Sequence, residues 1–80
     1  MRVTIHRCPV CPLIGAQAAD QASALRREPV IQVQVIDGYR GEYTISVDGR
    51  VIAEMVGSWL PTIPEVLAAV RQRHLAGADA

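Results

Sequence analysis

The chain has no lysine: all eight of its basic residues are arginine. With formal charge zero and no basic cluster larger than Arg26-Arg27 or Arg71/Arg73, it lacks the electrostatic footprint of a nucleic-acid binder. It also lacks any apolar run long enough to span a bilayer, and the opening "MRVTIHRC" alternates like a strand instead of forming the apolar core of a signal peptide. A cytoplasmic protein that neither crosses a membrane nor binds nucleic acid is the expectation. Arginine without lysine, beside abundant alanine, is read as the composition bias of a GC-rich, bacterial source. Eighty residues leave no room for a second domain, and there is no internal repeat, linker or low-complexity segment.

Cysteine is almost absent too, and the two that occur stand three apart in "HRCPVCPL", as Cys8 and Cys11. In a reducing cytoplasm a lone structural disulfide would not persist, and so short a loop restrains the unfolded chain little. Redox chemistry, metal binding and inert thiols remain as readings of the pair, with redox favoured by a C-x-x-C near a β-α-β pattern. His6 adds a third soft ligand to "HRCPVC", but strand alternation turns it to the polar face, and a four-coordinate zinc site needs more ligands than cluster here. No metal or cofactor is expected.

Half of the residues are apolar and a fifth charged, the profile of a chain that folds. Val3 and Ile5 alternate with Arg2, Thr4 and His6 as a first strand. From Pro12 to about Arg27, Ile14, Ala18, Ala22 and Leu25 recur at helical steps; Pro12 suits the first turn and Pro29 stops the helix. "VIQVQVID" (30–37) is a second strand. "EYTISV" and "RVIAEMV" flank Asp48-Gly49, the signal of a two-residue hairpin, and predict two antiparallel strands. An unbroken register across that turn puts Tyr43, Ile45 and Val47 with Ile52 on one face, and Thr44 and Ser46 with Val51, Ala53 and Met55 on the other. "TIPE" predicts a capping box, Thr62 with Glu65, that opens a helix with Ile63, Val66, Leu67 and Val70 buried and Gly77 at its close, before a fraying "ADA".

The order β-α-β-β-β-α predicts a two-layer α/β fold, a mixed four-stranded sheet with both helices on one face. A right-handed parallel β-α-β unit brings Cys8 and Cys11 to one sheet edge together with "DGYRG" (37–41) and "VGSWLP" (56–61). At a helix N-terminus a thiolate is stabilised by unpaired N–H groups and the helix dipole, and a second cysteine can resolve the mixed disulfide formed by the first. Pro9, Val10, Tyr39, Arg40, Gly41 and Trp59 border the pair as a partner surface, Trp59 equally readable as a plug for the core. Arg7 and Arg40 are candidates to hold a thiolate or an acidic tripeptide such as glutathione. His74, late in the last helix, reads as a cation near a helix C-terminus.

A strand, "CPVC" and a helix resemble the thioredoxin superfamily, and "CPVC" resembles the Cys-Pro-X-Cys site of glutaredoxins. The link before the third strand is too short for the extra helix of those proteins, and Gly41-Glu42 stand where they keep a cis-proline. A smaller branch shares both departures, the selenoprotein W-like proteins of the Rdx type. "GEYTISVDGRVI" (41–52) is similar to their hairpin, and "GSWLPTIPEVLAAVRQ" (57–72) to their Gly-Gly-Phe-Pro stretch and final helix, with Trp59-Leu60 replacing Phe and one Gly. The resemblance implies a thioredoxin-like thiol:disulfide oxidoreductase or redox-responsive protein whose partners are protein or glutathione thiols and disulfides. The thioredoxin pattern makes Cys8 the nucleophile and Cys11 the resolving thiol; the Rdx pattern, with selenium at the second position, favours Cys11. Greater exposure before the helix is expected to decide for Cys8.

Two rivals are a redox-switched protein-binding adaptor and a Cu(I)- or Zn-binding metallochaperone-like module. Ferredoxin-like copper chaperones carry a C-x-x-C after the first strand, but add a strand after their second helix where this sequence ends in "HLAGADA". The polar sheet face is open to solvent or to a weak homodimer.

Overall fold

A computed structural model of the protein describes residues 1–57 and 59–78. Its elements are β1 (Arg2–Arg7), α1 (Pro12–Leu25), β2 (Gln32–Asp37), β3 (Tyr43–Val47), β4 (Arg50–Glu54) and α2 (Ile63–Ala78). The strands form one sheet in the order β2-β1-β3-β4. β1 lies parallel to β2 and antiparallel to β3, which is antiparallel to β4. The predicted α/β order and mixed sheet are both present.

Alternation explains which face is covered. Val3 and Ile5 of β1 stand in register with Val33 and Val35 of β2 and with Val47 and Ile45 of β3, so these residues share one face. Val3, Ile5, Ile45, Val47 and Tyr43 are buried there in a single core with Ile14, Ala18, Ala22 and Leu25 of α1 and Val66 and Val70 of α2. Both helices therefore cover the same face. The other carries Thr4, His6, Thr44, Gln32 and Gln34, and on it His6 is paired with Thr44, facing away from the helices.

Asp48 (φ 49°) and Gly49 (φ 87°) both take positive φ, the backbone of a two-residue turn whose twist matches the strands it joins. Beyond this turn the register departs from the unbroken pairing. Val47 faces Arg50 and Ser46 faces Val51, but Ile45 faces Ala53 and Thr44 faces Glu54, so a β-bulge absorbs Ile52. One inserted residue reverses every later side chain. Ala53 and Met55, expected on the open face, instead pack against the core, where Met55 N–H also donates to Tyr43 C=O at 2.9 Å.

Boundaries shift by a few residues. α1 stops at Leu25, before Arg27, and β2 begins at Gln32, after Val30. Thr62 Oγ1 accepts from Glu65 N–H at 3.3 Å, which is one half of the expected capping box. α2 continues through Gly77 to Ala78, so Gly77 does not close it; the fraying expected of Asp79 and Ala80 lies outside the described residues. Two glutamines of α1 tie the loop before α2 into place: Gln17 and Gln21 both donate their amide N–H to Pro61 C=O, at 3.0 and 3.2 Å.

Candidate functional site

Cys8 is the first residue after β1, and its N–H donates to Glu42 C=O at 2.8 Å, continuing the β1–β3 ladder by one step. From there the chain turns toward α1, and the Cys8 side chain ends inside the core, 1% exposed. Cys11 is the N-cap of α1, with extended backbone (φ −105°, ψ 104°) and Pro12 at the first helical position, where the missing N–H costs nothing. It is half-buried, and both cysteines are free thiols. The expectation that Cys8 is the more exposed of the two is thus reversed. The strand-to-helix turn tucks its first residue beneath the helix start and leaves the capping residue on the rim.

The loop 38–42 closes over the pair. Gly38 N–H donates to Arg7 C=O at 2.8 Å, and Tyr39 N–H to the Glu42 carboxylate at 3.1 Å. Glu42 N–H returns a bond to Tyr39 C=O at 3.0 Å. Gly41 supplies the left-handed step, φ 85°, that lets the turn present its amide to the sulfurs.

Opposing effects set the two ionisations. Burial pushes the Cys8 thiol up, but hydrogen bonds to its sulfur outweigh burial and bring it below its ordinary value. The donors are the Cys11 thiol and the backbone N–H groups of Gly41, Val10 and Cys11. Cys11 is raised, first because its thiol is committed to Cys8, then by burial and by the charge of Cys8; Gly41 N–H and Arg40 act the other way. Cys8 is therefore the thiol of the two that ionises first.

Arg7, a candidate to hold a thiolate, borders the groove but is bound to Asp37 at 2.8 Å, and Arg40 is the cation that acts on Cys11. His6 sits on the far sheet face, and among the described residues no three His, Cys, Asp or Glu side chains come together as a metal site.

Of the expected partner surface, Pro9 and Val10 border an open groove of about 630 Å³ that also contains Cys8 and Cys11. Tyr39, Arg40, Gly41 and Trp59 do not line it. Trp59 is 81% exposed and plugs nothing; it forms an isolated antiparallel bridge with Val56, their N–H and C=O groups exchanging bonds at 2.9 and 3.0 Å. Sequence reading missed Leu13, 81% exposed two residues after Cys11, because it was not on the core stripe. It also missed the groove's far wall, Gly15, Ala19, Ser23 and Arg26, a set of small residues at steps of four ending in a cation that the periodicity already contained.

No family model and no curated protein matches the chain. Among solved structures it is similar to a crystal structure of a protein from Bordetella parapertussis, with a TM-score of 0.78 and 22% identity over 90% of this chain and 95% of that one. At that identity the likeness shows the fold alone.

Proposed function

We propose that this protein is a small thiol:disulfide oxidoreductase or redox-responsive protein, thioredoxin-like in fold and selenoprotein W-like in topology, with Cys8 and Cys11 as its working dithiol. The observation that carries the reading is the placement of two free thiols at one strand-to-helix turn, Cys8 buried after β1 and Cys11 at the N-cap of α1 on an open groove, where polar groups around the Cys8 sulfur lower its pKa despite burial. A buried thiol with no task is expected to be raised. The strand order, the single helical face and the C-x-x-C between β1 and α1 support the thioredoxin-like assignment.

Access and ionisation divide the roles. A disulfide must approach in line with the attacking sulfur, which 1% exposure denies to Cys8. Cys11, on the rim, makes first contact, and the neighbouring Cys8, the thiol of lower pKa, takes up its proton. The Cys11 thiolate attacks one substrate sulfur and releases the other as a thiolate, which takes up a proton. Cys8, losing its proton in turn, attacks the Cys11 sulfur, expels the second substrate thiolate and leaves the Cys8–Cys11 disulfide. Two electrons have then passed to the substrate, with one proton from the cysteine pair and one from solvent. Protein or glutathione thiols restore the dithiol, and a reducing compartment such as the cytoplasm suits the cycle.

The test is equilibration of metal-free protein in glutathione buffers with free-thiol counting. A reversible two-electron transition between about −120 and −270 mV is the expected result; thiols that never pair, or pair only under harsh oxidant, overturn it. Cys8→Ser should accumulate a mixed disulfide on Cys11. Accumulation only in Cys11→Ser would restore Cys8 as the attacking thiol.

A second reading, a redox-switched binding module, draws on the exposure of Val10, Leu13, Tyr39 and Trp59 in the segments after β1, β2 and β4. Sustained turnover of a general disulfide counts against it.

A further inference from the structure

The groove that holds the cysteines runs on past them, along the flank of α1 that faces away from α2. Gly15, Ala19, Ser23 and Arg26 line one wall and Val35 of β2 lies in its floor. Cys8 and Cys11 mark one end and Arg26 the other, about 22 Å apart at the rise of a helix. The lining contains two arginines and no carboxylate. Arg7 is held by Asp37, whereas Arg26 has no carboxylate partner among the described residues.

Beside α1 the groove meets the sheet at Val35, and the strand that carries it, β2, is a sheet edge. β2 pairs with β1 on one side only, and no described segment pairs with its other side. Its sequence QVQVID has neither proline nor lysine, the usual devices that keep an edge from accepting another strand. Six residues of strand span about 20 Å, so the open edge and the groove have matching lengths.

We infer that the groove takes an extended, acidic, cysteine-bearing segment of another protein, added to the β2 edge as a strand. Its cysteine lies against Cys11, and an Asp or Glu six or seven residues away meets Arg26. This rests on the dithiol reading and names its substrate class. Backbone pairing with β2 supplies register, alternate side chains fit under the small residues of α1, and charge selects the acidic end. Length discriminates against small thiols, since an extended tripeptide reaches about 10 Å and falls short of Arg26.

The probes are nine-residue peptides with cysteine at either end, joined through it to thionitrobenzoate, whose release reports attack on the peptide sulfur. One set carries Asp-Glu six residues from the cysteine, one carries it two residues away, and one has Arg-Arg at the distant position. The distant-acid peptide should react about fivefold faster than the other two at low salt, with the advantage shrinking as salt is added and inverting in Arg26→Glu. Equal rates for all three, with hydroxyethyl disulfide still reduced, overturn the groove and leave the dithiol standing. If no disulfide reacts, the dithiol reading falls, and fluorescent Cys→Ser peptides decide the groove by anisotropy. Tighter binding of the distant-acid peptide that Arg26→Glu abolishes upholds it; equal binding overturns it.

Discussion

Replacing Gly41 with L-alanine separates the conformational role of this residue from packing. Its φ of 85° lies where an L side chain crowds its own backbone, at a cost of about 1–2 kcal/mol. No heavy atom lies within 4 Å of an added Cβ, so strain in the backbone is the whole of the expected loss. D-Alanine, introduced by chemical synthesis, adopts positive φ without that penalty and should match the parent or exceed it slightly by restricting the unfolded chain. Urea unfolding measures the stability difference. Thiolate absorbance against pH measures the second effect: Gly41 N–H draws down both thiols, so a relaxed turn in the L-alanine protein raises the first thiol ionisation, while D-alanine leaves it in place. If D- and L-alanine destabilise equally, a collision and not φ is responsible. If the L-alanine protein keeps the parental ionisation, the Gly41 amide does not stabilise the thiolate.

The thiols also predict a pH profile for the reduced protein. Cys8 is lowered on folding, so it adds stability that grows as pH rises toward the ordinary thiol value of 9.0; Cys11 is raised, so above that value it takes stability away. Denaturant midpoints should pass through a maximum near that value, and the rising limb should vanish in Cys8→Ser. Among the described residues the buried Tyr43 hydroxyl makes no hydrogen bond of ordinary geometry, and its one polar neighbour is the buried Gln21 side chain, so Tyr43→Phe should change stability by less than about 1 kcal/mol; a larger loss would reveal a full bond to Gln21. Burial raises Tyr43 well above the usual tyrosine range, so above pH ~10 the unfolded chain alone loses this proton and stability falls by about 1.4 kcal/mol per pH unit. Tyr43→Phe should remove that contribution. Thr62→Ala should cost about 1 kcal/mol in thermal or urea unfolding by uncapping α2, and no loss would deny the cap its role.

Element order was legible because strands and helices write different periods, and because Asp48-Gly49 names its own turn. The β4 register was not. Counting outward from a two-residue turn assumes an unbroken ladder, and "RVIAEM" contains no glycine or proline to mark Ile52 as the inserted residue. Tertiary packing decides instead: the bulge turns Ala53 and Met55 toward the helices. The cysteines were legible as a pair at a strand–helix turn, but not their order of exposure. Periodicity assigns inside and outside along a strand or a helix, and Cys8 belongs to neither. Its burial follows from the path between them and from the 38–42 loop, which a strand pattern does not encode. Arg26 was weighed only as half of the small basic pair Arg26-Arg27, because the groove it closes exists only once α1 lies beside β2.

The means by which this site stabilises charge follows from the same path. The usual neighbour of a reactive thiolate is a cation, yet the chain has no lysine and Arg7 is engaged by Asp37. Arg40 acts on Cys11, the thiol that ends with the raised pKa. Stabilisation of the Cys8 thiolate instead falls to hydrogen bonds from Cys11 and from amides of two turns, residues 10–11 before α1 and Gly41 before β3. Amides fixed by the backbone cannot swing away as an arginine side chain can, and they keep their strength when salt screens surface charge. Such donors must be close, which requires the sulfur to be buried among them. The burial of Cys8 is therefore the condition for its ionisation, and in the proposed redox cycle the half-buried Cys11 would connect that charge to a substrate.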